Sequence, residues 1–127
     1  MCVPNARTAL AWIAANFHGR PAERLSMVGI TGTNGKTTTA FLTRDILRAA
    51  GCVPGLITTV VYELGARAIP ASRTTPEAPV LSGLLAGMTA AGCDSAVMEV
   101  SSHSLMQDRV TGIDYDVAAF TNLSRDH

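Results

Sequence analysis

Gly32-Thr33-Asn34-Gly35-Lys36-Thr37 sets two glycines, a lysine and a hydroxyl at the spacing of a phosphate-binding loop. Backbone N–H groups in a glycine-rich loop ahead of a helix converge on one point, and the helix dipole makes that point favourable for an anion. A triphosphate suits such a nest. Lys36 is placed to reach its β- and γ-phosphates, Thr37 to ligate Mg²⁺ through its hydroxyl, and Thr38 continues the polar stretch into the helix. The strict form of the motif asks for glycine at position 30, where this chain has Ile30, with Gly29 one residue earlier. An accidental glycine turn with an idle lysine would not have an apolar strand before it and a helix after it, as this one does.

A second chemical residue is Glu99, at the end of the apolar run Ser95 to Met98. P-loop enzymes carry an acidic group for Mg²⁺ or its water at this kind of place. Parallel strands lie about 4.8 Å apart, so one intervening strand still lets a cation bridge Thr37 and Glu99. On position alone, a solvated strand-end carboxylate remains the competing reading.

These groups need a scaffold, and the apolar pattern predicts one. Arg7 to Phe17 puts Leu10, Ile13, Ala14 and Phe17 on one face at helical spacing, with Gly19 and Pro21 as stops. Leu25 to Ile30 reads as a strand entering the loop, and Thr37 to Ala50 as a helix ended by Gly51. Gly55 to Val61 reads as a second strand, and Gly65 to Pro70 as a turn leading to an edge strand or loop. Glu77 to Ala91 is a helix closed by Gly92. Ser95 to Val100 and Asp116 to Thr121 are further short strands, with a helical turn expected at Ser104 to Met106. Strands alternating with helices predict an α/β fold of the P-loop type: a doubly wound, mainly parallel sheet flanked by helices. Ligands in such folds sit at the carboxyl ends of the strands. The polar clusters Thr31 to Thr38, Ser101 to His103 and Asn122 to His127 all fall at those ends.

Composition agrees with one domain. The chain has 127 residues, 47% hydrophobic and 16% charged, values of a compact α/β protein and not of a disordered one. Ten basic residues balance ten acidic ones, so no global field favours nucleic acid or an anionic membrane, and any anion must be held locally. Cys2, Cys52 and Cys93 share no short spacing, which points to buried or idle thiols and fits a reducing cytoplasm. No apolar run approaches the roughly 20 residues of a bilayer span. His18 reads as surface and the methionines as core filler.

Three blocks in order, Thr31 to Thr38, Met98-Glu99-Val100-Ser101-Ser102-His103 and Phe120-Thr121-Asn122-Leu123-Ser124-Arg125-Asp126-His127, give the chain a family resemblance. From about Arg7 onward it resembles the Mur ligases of peptidoglycan synthesis, and among them those that add the third amino acid to the UDP-MurNAc stem peptide. The resemblance implies ATP and Mg²⁺ as cofactors. A substrate carboxylate attacks the γ-phosphate to give an acyl phosphate, from which an amine displaces phosphate to form an amide. It implies catalytic positions at Lys36, Glu99 and His127, ATP contacts from Gly32 to Thr38, and metal-associated positions at Thr37, Glu99 and His127. Contacts to UDP-MurNAc-L-Ala-D-Glu carry over to Thr74, Thr75, Ser101, Gln107 and Arg109, and Arg73 stands where relatives often have another polar residue. His103 suits either orienting the site or a structural hydrogen bond. The amino acid is meso-diaminopimelate or L-lysine, and a monomer is expected. Residues 1–22 correspond to the tail of an amino-terminal substrate domain, and 23–127 to an ATP-binding central domain that stops short on its carboxyl side. The family's carbamylated lysine would lie beyond His127, so the chain reads as a fragment inactive on its own. The competing class is a nucleotide-binding P-loop module without ligase activity. A GTPase is a poor match, since no N-K-x-D motif occurs.

Overall fold

In the computed structural model, residues 6–72, 75–101, 113 and 115–121 are described. Helix α1 (Ala6–Phe17) leads through a 3₁₀ turn (Pro21–Arg24) into β1 (Ser26–Thr31), and α2 (Lys36–Ala49) follows the loop. Then come β2 (Pro54–Ile57), β3 (Val61–Leu64), β4 (Arg67–Pro70), α3 (Ala78–Ala90), β5 (Ser95–Glu99) and β6 (Val117–Phe120). The sheet order is β4-β3-β2-β5-β1-β6. β2, β5, β1 and β6 run parallel, and β3 and β4 add an antiparallel hairpin at one edge.

The central strands β2 and β5 read as continuous apolar runs because both of their faces are covered, as buried parallel strands require, whereas the edge strand β6 is mostly exposed. Alternate residues point to opposite sides. Ile30, Leu56 and Val97 pack with Ala40 under α2, while Met27, Ile57 and Met98 pack with Leu81, Leu85 and Met88 of α3. The register sets Ile30 opposite Glu99, Ile57 opposite Met98, and Thr31 opposite Phe120. The loop after β1 and the end of β5 therefore share one sheet edge.

Two sequence expectations are corrected. Gly55 to Val61 is not one strand: it breaks at Thr58 to Val60, and β3 folds back antiparallel with Leu56 opposite Glu63. Helix α1 forms as expected, but Ala11 and Ala14 face the core, while Leu10, Ile13 and Phe17 are 45%, 64% and 82% exposed. The small side chains let α1 lie close against α3, which a stripe of large residues would prevent. The expected turn at Ser104 to Met106 lies outside the described residues. Cys93 is buried and Cys52 partly so, and burial pushes the Cys93 thiol up from its ordinary range. Among the described residues no helix is long and apolar enough to cross a membrane.

Ile30 stands where the strict motif has glycine because it is the last fully buried core residue of β1, and the loop begins after it. Gly29 belongs to the strand. A β-carbon there would lie 2.7 Å from the Tyr115 ring. Gly29→Ala is expected to overpack this contact and lower stability by about 1–3 kcal/mol, read as a lower thermal midpoint with the circular dichroism spectrum of the folded state unchanged.

Candidate functional site

The loop Gly32 to Gly35 turns tightly between β1 and α2, with φ of +130° at Gly32 and +84° at Gly35. Backbone in this range suits glycine and strains other residues. Gly35 is the N-cap of α2 and supplies no side-chain cap, so the helix meets the cavity through its own backbone dipole. Thr121, just past β6, steadies the loop: its hydroxyl donates to the Asn34 carbonyl at 2.6 Å and its N–H to the Thr31 carbonyl at 3.0 Å. The Lys36 ammonium donates to the Gly32 carbonyl at 2.8 Å and to the Thr33 carbonyl at 3.3 Å, which keeps it over the loop.

Glu99 is 1% exposed, so it is not a solvated strand end. The Thr37 hydroxyl lies 3.0 Å and 2.9 Å from its two carboxylate oxygens, and the Thr59 N–H donates to Oε2 at 2.8 Å. These donors meet the hydrogen-bonding needs of a carboxylate that water does not reach. Thr37, Glu99 and the loop line one cavity of about 300 Å³ with Thr33, Asn34, Thr38, Thr59 and Ser101, a volume at the lower end of ligand pockets. Lys36 is its cation and Glu99 its anion. A second depression, under α1 beside Trp12, Pro21 and Leu81, offers about 20 Å³, room for little more than a water.

The donor set suits Mg²⁺. A hydroxyl and a carboxylate are hard oxygen ligands, and Mg²⁺ typically takes one or two carboxylates together with substrate phosphates in place of an all-protein cage. Among the described residues no group of three or more His, Cys, Asp or Glu side chains clusters.

The expected site residues thus divide. Thr33 to Thr38, Glu99 and Ser101 meet at one cavity, and Gly32 begins the loop that leads into it. Thr75 is 1% exposed; its hydroxyl donates to the Glu99 carbonyl at 2.8 Å and accepts from the Ser101 N–H at 3.2 Å, bracing the end of β5 from beneath. Thr74, Gln107, Arg109, His127 and His103 lie outside the described residues. Thr59 is a cavity residue that no sequence motif marks.

A model of the Mur ligase middle domain matches residues 30–127. The chain belongs to the Mur ligase family. Of curated relatives, the UDP-N-acetylmuramyl-tripeptide synthetase of Deinococcus radiodurans is 53% identical over the whole chain. A UDP-N-acetylmuramoyl-L-alanyl-D-glutamate--2,6-diaminopimelate ligase of Geobacillus thermodenitrificans is 50% identical over 98% of it. A solved structure of a ligase with that same name superposes on the whole chain with a TM-score of 0.82 at 29% identity. This Mur ligase chain spans about 26% of the length of each of these relatives.

Proposed function

We propose that this Mur ligase chain holds the ATP and Mg²⁺ of an ATP-dependent amide-forming ligase that adds the third amino acid to UDP-MurNAc-L-Ala-D-Glu. The observation that carries the reading is the meeting of Thr37 and Glu99 at 2.9 Å beside Lys36 and the loop. The names of the relatives support the substrate class, since one is a tripeptide synthetase and another a diaminopimelate ligase. In this reading residues 1–22 belong to the linker with a substrate domain and 23–127 to the ATP-binding domain.

The residues have separate tasks. The N–H groups from Gly32 to Thr38 cradle the phosphates at the start of α2, where the dipole favours anions. Lys36 swings from the loop carbonyls to the β- and γ-phosphates and offsets charge as the γ-phosphoryl group passes to the substrate carboxylate. Thr37 and Glu99 would hold Mg²⁺, with His127 as a further ligand by family resemblance. When bound, that ion neutralises phosphate charge and fixes the geometry of transfer. Ser101 lines the cavity and, with Thr74, Gln107 and Arg109 by family resemblance, is assigned to the nucleotide-sugar peptide, while the buried Thr75 acts indirectly by bracing Glu99 and Ser101. Catalysis here is mostly positioning: the acyl phosphate forms and collapses to the amide only where carboxylate, phosphate and amine are held together.

A graft tests the whole reading. Exchanging the matching stretch of the Deinococcus radiodurans synthetase for this chain is expected to give an enzyme that makes the tripeptide product from ATP, UDP-MurNAc-L-Ala-D-Glu and meso-diaminopimelate or L-lysine, detected by mass spectrometry. A folded graft that binds ATP and makes no product with either amino acid rules out the ligase assignment.

A further inference from the structure

The turn between β2 and β3 belongs to no sequence motif, yet it reaches the acidic group of the site. Ile57 pairs with Tyr62, and the Thr58 N–H donates to the Val61 carbonyl at 3.1 Å, so Thr59 and Val60 make a two-residue hairpin loop. Such loops favour primed turns with positive φ. Neither residue has one, since among the described residues Arg20 is the only non-glycine with positive φ. Thr58, fully buried, closes the turn by another route. Its hydroxyl accepts from the N–H groups of Val60 at 3.2 Å and Val61 at 3.0 Å and donates to the Val61 carbonyl at 3.0 Å. The Thr59 N–H then aims at Glu99 Oε2, 2.8 Å away, and the Thr59 hydroxyl lies 3.4 Å from both carboxylate oxygens.

We propose that Thr59, braced by the hydroxyl of Thr58, is a positioning residue for Glu99: its backbone N–H fixes the plane of the carboxylate that meets the cation beside Thr37. The inference rests on the Mg·ATP reading of the cavity. Its physical ground is the terminal torsion of glutamate, which is broad and nearly two-fold. The Thr37 hydroxyl sits almost equally far from both oxygens and so does not choose between rotations. A second donor on Oε2 does, and it sets Oε1 towards the cavity before the ligand arrives, which lowers the ordering cost of binding.

The turn itself offers a clean test. Position 59 is the first central residue of the turn, where proline is favoured in ordinary turns and arrives with its φ preset. Thr59→Pro removes this N–H at a position without positive φ, whereas Thr59→Ala keeps the N–H and removes only the hydroxyl. Calorimetric titration of the 127-residue chain with ATP, once with Mg²⁺ and once with EDTA, separates the cation's contribution from that of the loop. In Thr59→Pro the gain in affinity given by Mg²⁺ is expected to fall about tenfold, as for loss of a hydrogen bond to a charged group. Affinity in EDTA is expected to stay within about twofold of the unaltered chain, a split that a merely structural role would not produce. Thr59→Ala loses less of the gain than Thr59→Pro. Should Thr59→Pro fail to fold, Thr58→Val is expected to lose the gain and Thr58→Ser to keep it, because serine retains the hydroxyl that binds the Val60 and Val61 N–H groups and valine does not. An undiminished Mg²⁺ gain in Thr59→Pro, or in Thr58→Val, overturns the proposal, as does an equal fall in both conditions. An unaltered chain that binds no ATP at all removes the underlying reading instead, and the proposal with it.

Discussion

Lys36→Ala is expected to weaken ATP binding by roughly tenfold to a hundredfold, the value of one or more hydrogen bonds from an ammonium to phosphate oxygens at ~1.5–3 kcal/mol each. Lys36 is the cation that lines the cavity, opposite Glu99, and a triphosphate brings several negative charges into that space. Without the ammonium, only the N–H groups of the loop and the dipole of α2 answer those charges, and a helix terminus contributes about 0.3–1 kcal/mol at an exposed site. The alternative is that Lys36 merely ties the loop through the Gly32 and Thr33 carbonyls, which it reaches at 2.8 Å and 3.3 Å. That role predicts a lower thermal midpoint with nucleotide affinity intact. Calorimetry on the folded variant decides between them, and unchanged ATP affinity would remove the phosphate-binding assignment of the loop.

How far the sequence discloses this molecule depends on which signals are local. β1, α2, α3, β5 and β6 are legible because each is an apolar run or a helical repeat bounded by glycine or polar residues, and Gly51 and Gly92 end their helices with φ of +89° and +88°, as a glycine stop requires. The break between β2 and β3 is not legible. Gly55 to Leu64 contains no Gly, Pro, Asn or Asp at the turn, only Thr58, Thr59 and Val60, and β-branched residues read as continuous strand. The same hidden turn carries Thr59, so the one cavity residue outside the motifs was invisible for the same reason. The stripe on α1 misleads in another way: periodicity groups Leu10, Ile13, Ala14 and Phe17 on one face, but of these only Ala14 is buried, beside Ala11. For Glu99 the sequence leaves two readings open, and burial beneath two threonine donors removes the solvated one. For Thr75 a motif names the residue but not the direction of its side chain, and the hydroxyl turns out to serve the backbone on both sides of Val100.

Glu99→Gln is expected to abolish most of the Mg²⁺-dependent gain in ATP affinity, by up to roughly a hundredfold, while the chain stays folded. Glutamine has nearly the shape of glutamate, and its side-chain oxygen still accepts from the Thr59 N–H, so the packing at the end of β5 is preserved. What changes is charge. At 4 Å and an effective dielectric of 20, one unit charge is worth about 4 kcal/mol to another, and a divalent ion feels twice that before the cost of shedding its water is counted. Mg²⁺ sheds water reluctantly and binds through few carboxylates, so removing Glu99, the carboxylate that lines the cavity, leaves the ion to the phosphates and the Thr37 hydroxyl. Affinity in EDTA should by contrast hold or rise, because a negative charge facing the phosphates has gone. Stability should also hold, since a neutral amide costs less to bury than a carboxylate. The opposite pattern, a collapsed thermal midpoint with the Mg²⁺ gain intact, would make Glu99 a structural anchor for Thr37 and the β2–β3 turn and would take the metal away from this edge of the sheet.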